Sequence, residues 1–305
     1  MNNGQLKYIS NKNIDTEKWD QCIANAENRR VYAFCWFLER TARNWDALVW
    51  GDYEFVMPLT LNRKWGITYL YQPTFCQQLG IFPTPPESIQ QEFAQFLYKK
   101  FRFIQIQITQ QLHLQRYPGF QTFEKTNLVL PLISSYNEIS SQYSINTKRN
   151  IAKAKKENVT VMIGLNPADF INSKKMADTV KSDPKSFETL EKIIAFAQTE
   201  SNGIIYIAYT KQNELCSAAF FLHSGNRVVY LSAFSTEEGK KCSAMHLIVD
   251  EFIREYSGSG ALLDFEGSSI EGVARFYKGF GSLSETYYQL KLNRLPFPVN
   301  LLKRK

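Results

Sequence analysis

Asp264 and Glu266 stand two apart in the run Ala261-Leu262-Leu263-Asp264-Phe265-Glu266-Gly267. In an extended strand that spacing puts both carboxylates on one face, with Leu263 and Phe265 on the other. A carboxylate at a strand end can orient an attacking ammonium group or take its proton. Gly267 would let backbone or substrate come close at that point. The competing role is structural, with Glu266 holding the following turn or a neighbouring arginine. Ser268 and Glu271 have capping-box spacing, so the serine reads as a helix start rather than a nucleophile. On the helix that follows, Arg275 either pairs with Glu271 four residues back or contacts an anion. Lys278 ends that helix before Gly279-Phe280-Gly281, where a cation complements the helix dipole.

A second group of residues suits phosphate. Lys148, Arg149, Lys153, Lys155 and Lys156 crowd a helical stretch in which only Glu157 opposes them. They form either a solvated helix face or a site for the phosphates of a nucleotide-linked substrate or a tRNA. Gly239, Lys240 and Lys241 precede a helix and are a further phosphate candidate. The five cysteines are scattered and the three histidines are far apart, with no CxxC pair. Neither a disulfide framework nor a metal site is indicated, and no tightly bound cofactor is expected.

These side chains must be held by a sizeable core. The 305 residues are 44% hydrophobic and 14% aromatic, which suits two domains rather than one. Their excess of 36 basic over 29 acidic residues gives a net charge of +7 and favours an anionic partner. No apolar run reaches the roughly 18 residues needed to span a bilayer, and the polar start MNNGQLKYISNKN lacks the apolar core of a signal peptide. A cytoplasmic location is the expectation.

Hydrophobic periodicity and turn residues predict an α/β chain of two similar halves, 1–135 and 136–305. The first half has helices over Asp15–Ala26 and Ala33–Ala42. Strands over Ala47–Trp50, Glu54–Leu61 and Ile67–Tyr71 follow, then a helix over Glu87–Lys100 and strands over Phe103–Ile108 and Thr126–Pro131. The second half repeats the order. Helices near Pro167–Val180 and Pro184–Thr199 precede a meander over Ile204–Tyr209, Leu215–His223 and Arg227–Ser232. A helix over Ser243–Tyr256 then leads to the strand Ala261–Phe265. Similar meanders about 160 residues apart point to a duplicated domain rather than a solenoid. A last strand at about 283–292 is expected to pack back on the first half.

Two helices, a meander, a helix and a returning strand form the element order of a GNAT acyltransferase half. The run from Leu262 through Gly281, ending Phe276-Tyr277-Lys278-Gly279-Phe280-Gly281, resembles the C-terminal signature of the Fem family of peptidoglycan aminoacyl transferases. Tyr143 through Ala154 is similar to that family's basic helix between the halves. Tyr69-Leu70-Tyr71-Gln72-Pro73 through Gln77-Gln78-Leu79-Gly80 resembles a segment that lines its acceptor side. The resemblance implies two tandem GNAT-like domains and transfer of an acyl or aminoacyl group to an amine. In that reading Lys278 lies beside the donor carbonyl, Asp264 and Glu266 orient the amine, and Lys148, Arg149, Tyr71, Gln77, Gln78, Arg275, Phe276 and Tyr277 bind substrate. It also implies an aminoacyl-tRNA donor, with a coenzyme A or carrier-protein thioester as the alternative. An inert module that binds cell-envelope precursors is the non-enzymatic reading. Two departures stand out. Gln77 and Gln78 occupy a neighbourhood where Fem enzymes commonly carry an aspartate, and Thr236–Lys241 does not match the Q/R-x-x-G-x-G/A loop that binds the coenzyme A pyrophosphate.

Overall fold

In the computed structural model the described residues are 4–114, 116–178, 183–267 and 270–297. They form two compact units, one of residues 1–125 with 286–305 and the other of residues 126–285. Ser268, and residues 179–180 at the end of the helix expected to reach Val180, lie outside the described residues.

In the first unit Asp15 caps α1 (Thr16–Asn25) by accepting from the Lys18 amide. The short helix α2 (Cys35–Thr41) follows. The strands β1 (Leu6–Ser10), β2 (Asn44–Trp50), β3 (Phe55–Lys64) and β4 (Ile67–Tyr71) pair antiparallel in sequence. After α3 (Glu87–Lys100), the chain returns as β5 (Phe103–Ile108) parallel to β4. Ile104, Ile106 and Ile108 of β5 are buried while Gln105 and Gln107 are half-buried, the period-two pattern expected from the sequence. β12 (Leu283–Asn293) pairs antiparallel with β5 from Tyr288 to Asn293 and adds Leu290 and Leu292 to the core of this unit.

The second unit repeats the plan. β6 (Phe120–Leu132) leads to the capped helices α4 (Tyr136–Ser141) and α5 (Ile145–Lys156). Strand β7 (Thr160–Ile163) and helices α6 (Pro167–Ala177) and α7 (Pro184–Thr199) follow. The strands β8 (Gly203–Tyr209), β9 (Leu215–Ser224) and β10 (Arg227–Ser235) form an antiparallel meander, with β7 on the outer edge of β8. After α8 (Glu237–Lys241) and α9 (Ala244–Tyr256), β11 (Ala261–Asp264) runs parallel to β10 and antiparallel to β6. The last helix is α10 (Glu271–Lys278). Its residue before the first turn is Ile270, which makes no side-chain capping bond. Tyr206, Phe221 and Tyr230 from the sheet form one core with Leu247, Ile248 and Phe252 of α9 and Ile151 and Ala154 of α5. Each unit is thus a mixed, largely antiparallel sheet flanked by helices, as the periodicity implied.

Candidate active site

β10 and β11 share only three register pairs, from Arg227–Leu262 to Val229–Asp264. β10 then continues to Ser235, whereas β11 stops at Asp264. Just past the last shared pair, the register of β10 against β9 slips between Tyr230 and Ser232, leaving Leu231 as an extra residue. A bulge takes main-chain groups out of the ladder, and a ligand-binding crevice tends to open beyond the carboxyl ends of such strands. Just past the end of this pairing Glu266 and Gly267 both adopt left-handed backbone, with φ of 57° and 60°. A Cβ on Gly267 would lie 2.5 Å from the Thr126 carbonyl oxygen, so only glycine fits where the turn crosses β6. Upstream in the same turn, the Phe265 amide donates to the Leu128 carbonyl at 2.9 Å.

Asp264 and Glu266 do not share an open face. Pairing with β6 ends at Asp264, and the left-handed turn at Glu266 breaks the alternation. Asp264 is fully buried and ion-paired with Arg227, while Asn127 Nδ2 donates to its Oδ1 at 2.9 Å. Arg227 also reaches Glu285, with NH2 to Oε1 at 2.6 Å and NH1 to Oε2 at 3.1 Å. Burial works against the charge on Arg227, but Asp264 and Glu285 more than offset it and raise its pKa. The Glu266 amide donates to Asp264 Oδ1 at 2.8 Å. Asp264 therefore holds the turn that displays Glu266, and of the two carboxylates only Glu266 is partly exposed.

Tyr277 of α10 stacks on Phe265, with ring centroids 4.6 Å apart. Burial and then the charge of Glu266 raise its pKa, so its hydroxyl stays protonated beside that carboxylate. Lys278 is exposed and makes no ion pair among the described residues. Arg275 pairs with Glu271 at 2.7 Å on the exposed side of the helix. Phe276 meets the His246 ring edge-on at 4.8 Å. The glycine after Lys278 has a steric reason, since a Cβ on Gly279 would fall 2.3 Å from Thr147 Oγ1 of α5. The Ser144 amide donates to the Gly279 carbonyl at 2.9 Å, and Tyr143 packs on Phe280 at 5.2 Å. The two stretches that carried the resemblance in this half are therefore in contact. Lys148 and Arg149 are exposed on α5, and Lys148 Nζ donates to the Ser141 carbonyl at 2.9 Å.

The other phosphate candidate is occupied by local bonds. The Gly239 amide donates to Thr236 Oγ1 at 3.1 Å, Lys240 pairs with Glu237 at 2.7 Å, and Lys241 lies 3.5 Å from Glu238. Gly239 is required because its Cβ would sit 2.1 Å from the Cys216 carbonyl oxygen. It is a close-packing glycine.

In the first unit, a cleft of about 220 Å³ is lined by Tyr69, Tyr71, Gln72, Gln105, Gln107 and Gln289, among others. Tyr71 accepts a hydrogen bond from the Arg43 amide through its hydroxyl. Gln77 and Gln78 do not line this cleft. Gln78 is fully buried, accepts from Arg30 Nε at 3.2 Å and donates to Gln77 at 2.7 Å. The residues that shape both sites without a sequence motif are Arg227, Asn127, Glu285 and the cleft glutamines. The one local hint was Arg227, a charge opening an apolar run just after the turn residues Gly225 and Asn226.

Two repeats of a meander followed by a parallel return define a tandem GNAT-like fold of the Fem type. The solved structure of FemX superposes with a TM-score of 0.68 over 98% of this chain and 100% of that one, at 13% identity. The C-terminal domain of a putative lysylphosphatidylglycerol synthetase from Agrobacterium fabrum gives a TM-score of 0.59 at 7% identity, covering 94% of each chain. A tandem GNAT protein from the clavulanic acid biosynthesis pathway gives 0.54 at 10% identity, over 96% of this chain and 99% of that one. No protein-family model and no curated protein matches the sequence.

Proposed function

We propose that this protein is an aminoacyl- or acyltransferase that joins an activated acyl group to the amine of a cell-envelope precursor. The observation that carries the reading is the end of the β10–β11 pairing at Asp264, with a bulge in β10 on one side and the left-handed, partly exposed Glu266–Gly267 turn just past it. In the proposed reaction the acceptor amine attacks the carbonyl carbon of an aminoacyl ester. Glu266 takes a proton from the ammonium form, the new C–N bond forms, and charge gathers on the carbonyl oxygen beside Lys278. The C–O bond then breaks, its electron pair leaves with the ribose oxygen of a tRNA, that oxygen takes up the proton held by Glu266, and the nitrogen's second excess proton passes to solvent as the amide forms.

An aminoacyl-tRNA is favoured over a coenzyme A thioester by two features. The Gly239 amide is already bonded to Thr236. The exposed side of α5 carries Lys148, Arg149, Lys153 and Lys156, cations that suit a polyanionic carrier. The first-unit cleft, with its tyrosines and amides, suits an uncharged polar ligand.

A thermal-shift screen with charged tRNA, coenzyme A thioesters and nucleotide-linked muramyl peptides tests the assignment. A ligand at a hundredfold excess over its Kd stabilises the fold by about 2.7 kcal/mol. Shifts with charged tRNA and a muramyl peptide are expected, and a shift with coenzyme A thioesters alone would sink the donor assignment.

A further inference from the structure

The outer edge of the second unit is the four-residue strand β7, Thr160-Val161-Met162-Ile163. Its register against β8 pairs Thr160 with Tyr209 and Met162 with Ile207, and the Gly164 amide donates to the Ile205 carbonyl at 2.9 Å. Hydrogen-bonded and non-bonded pairs alternate along an antiparallel ladder. Residues 160 and 162 therefore bond inward to β8, and Val161 and Ile163 turn their N–H and C=O groups outward.

Exposed edges are usually blunted by a lysine, a proline or a bulge. The edge strand of the first unit, β1, carries the exposed Lys7. β7 is short, itself a partial protection, but it carries no lysine or proline and its register against β8 is unbroken. Met162 and Ile163 are 54% and 51% exposed on it. Beside it lies a cleft of about 570 Å³, lined by Val159, Val161 and Leu247 and by both signs of charge, Lys155 and Arg254 with Glu251 and Glu255.

We infer that β7 is the docking edge for a second copy of this chain, joined to it antiparallel about a two-fold axis through Met162. The register selects this partner. With Met162 opposite its own copy, Val161 pairs with Ile163 of the second chain and Ile163 with Val161, so every outward N–H and C=O of both strands is bonded. An isologous contact also brings the same mixed-charge cleft rim against itself. Lys155 lies 3.7 Å from Asp250, and Arg254 3.8 Å from Asp250 and Glu251, of its own chain, but both cations stay about half exposed, open to carboxylates of the other copy. The exposed methionine packs on its own copy at the axis.

Light scattering of the full chain across a micromolar concentration series should give a mass approaching twice the monomer. Met162→Lys and Ile163→Lys should each return it to monomer, with far-UV circular dichroism confirming that the variants are folded. Met162→Cys adds a positive test that does not depend on loss. Directly opposed residues of a non-bonded pair have Cα atoms about 4.5 Å apart, within the span of a disulfide. Mild oxidation should therefore cross-link Met162→Cys into a covalent dimer, but neither Thr160→Cys nor the wild-type chain with its five cysteines. A wild-type monomer at all concentrations would overturn the inference and leave the edge to an extended peptide of another protein. A dimer that survives both lysine substitutions, or that leaves Met162→Cys uncross-linked, would place the contact elsewhere and overturn it too.

Discussion

Lys278 ends α10 with an exposed ammonium group, and its two roles predict different outcomes of one substitution. A charge that only complements the helix end is worth about 0.3–1 kcal/mol of stability and nothing in turnover. A charge that steadies the carbonyl oxygen contributes about 2.7–4 kcal/mol to the transition state. Lys278→Met is expected to stay folded and lose about 100-fold or more in turnover on the true substrates, with KM less affected. Retention of more than about a third of wild-type turnover would remove the residue from the mechanism. A second test at this scale concerns His246, whose pKa burial lowers to about 4. Asn150 Nδ2, a donor only, lies 3.2 Å from its Nε2, and the rings of Phe276 and Phe280 cover it. The folded state therefore prefers the neutral ring. The unfolded chain binds the proton first, so stability is full above about pH 6.5 and falls as pH drops towards 4. Denaturant melts across that range should show a decline of up to about 3 kcal/mol, which His246→Gln flattens. At this scale the sequence was a partial guide. Glu266 and Gly267 were legible as a strand-end carboxylate and a close-approach glycine. The role of Asp264 was not, because its partner Arg227 lies 37 residues away and a left-handed turn leaves no mark on side-chain periodicity.

At the scale of elements, α5 shows how an ordinary amphipathic pattern leaves a charged stripe over. Thr147, Ile151 and Ala154 face the core, while Ile145, Lys148, Arg149, Lys153 and Lys156 recur at three- and four-residue spacing on the exposed side. If that stripe binds the carrier, replacing Lys148, Arg149 and Lys153 together by glutamine should weaken tRNA binding and flatten its dependence on salt. An unchanged salt slope would return the helix to a solvated face. The order of helices and strands was legible because apolar spacing changes from 3.6 to 2 at each hairpin and cap. Their ends were less so. β6 begins at Phe120 rather than Thr126, since the exposed Glu124 and Lys125 interrupt the alternation. β10 runs on to Ser235 past its bulge, where one extra residue shifts the pattern out of phase.

For the whole molecule, the chain passes between its units twice, within β6 and again within β12. The first unit is thus built from two distant stretches of sequence, and Leu290 and Leu292 lie fully buried in its core. Leu290→Ala should cost about 2–5 kcal/mol, with loss of hydrogen-exchange protection along β5, although the substitution is only 15 residues from the end of a 305-residue chain. Protection of β5 unchanged from wild type would show that β12 adds little to that sheet. Duplication was visible in the recurring meanders, but which strand completes which sheet depends on pairing partners that no local pattern encodes.

The split has a consequence in time. On a ribosome adding about 5–20 residues per second, the 160 residues from 126 to 285 separate the two parts of the first unit by about 8–32 s. Throughout that interval β5 has been made but β12 has not, so Ile104, Ile106 and Ile108 wait on a strand that lacks one neighbour. The first unit is begun before the second and completed after it, and until β12 is made its sheet ends in an open edge at β5.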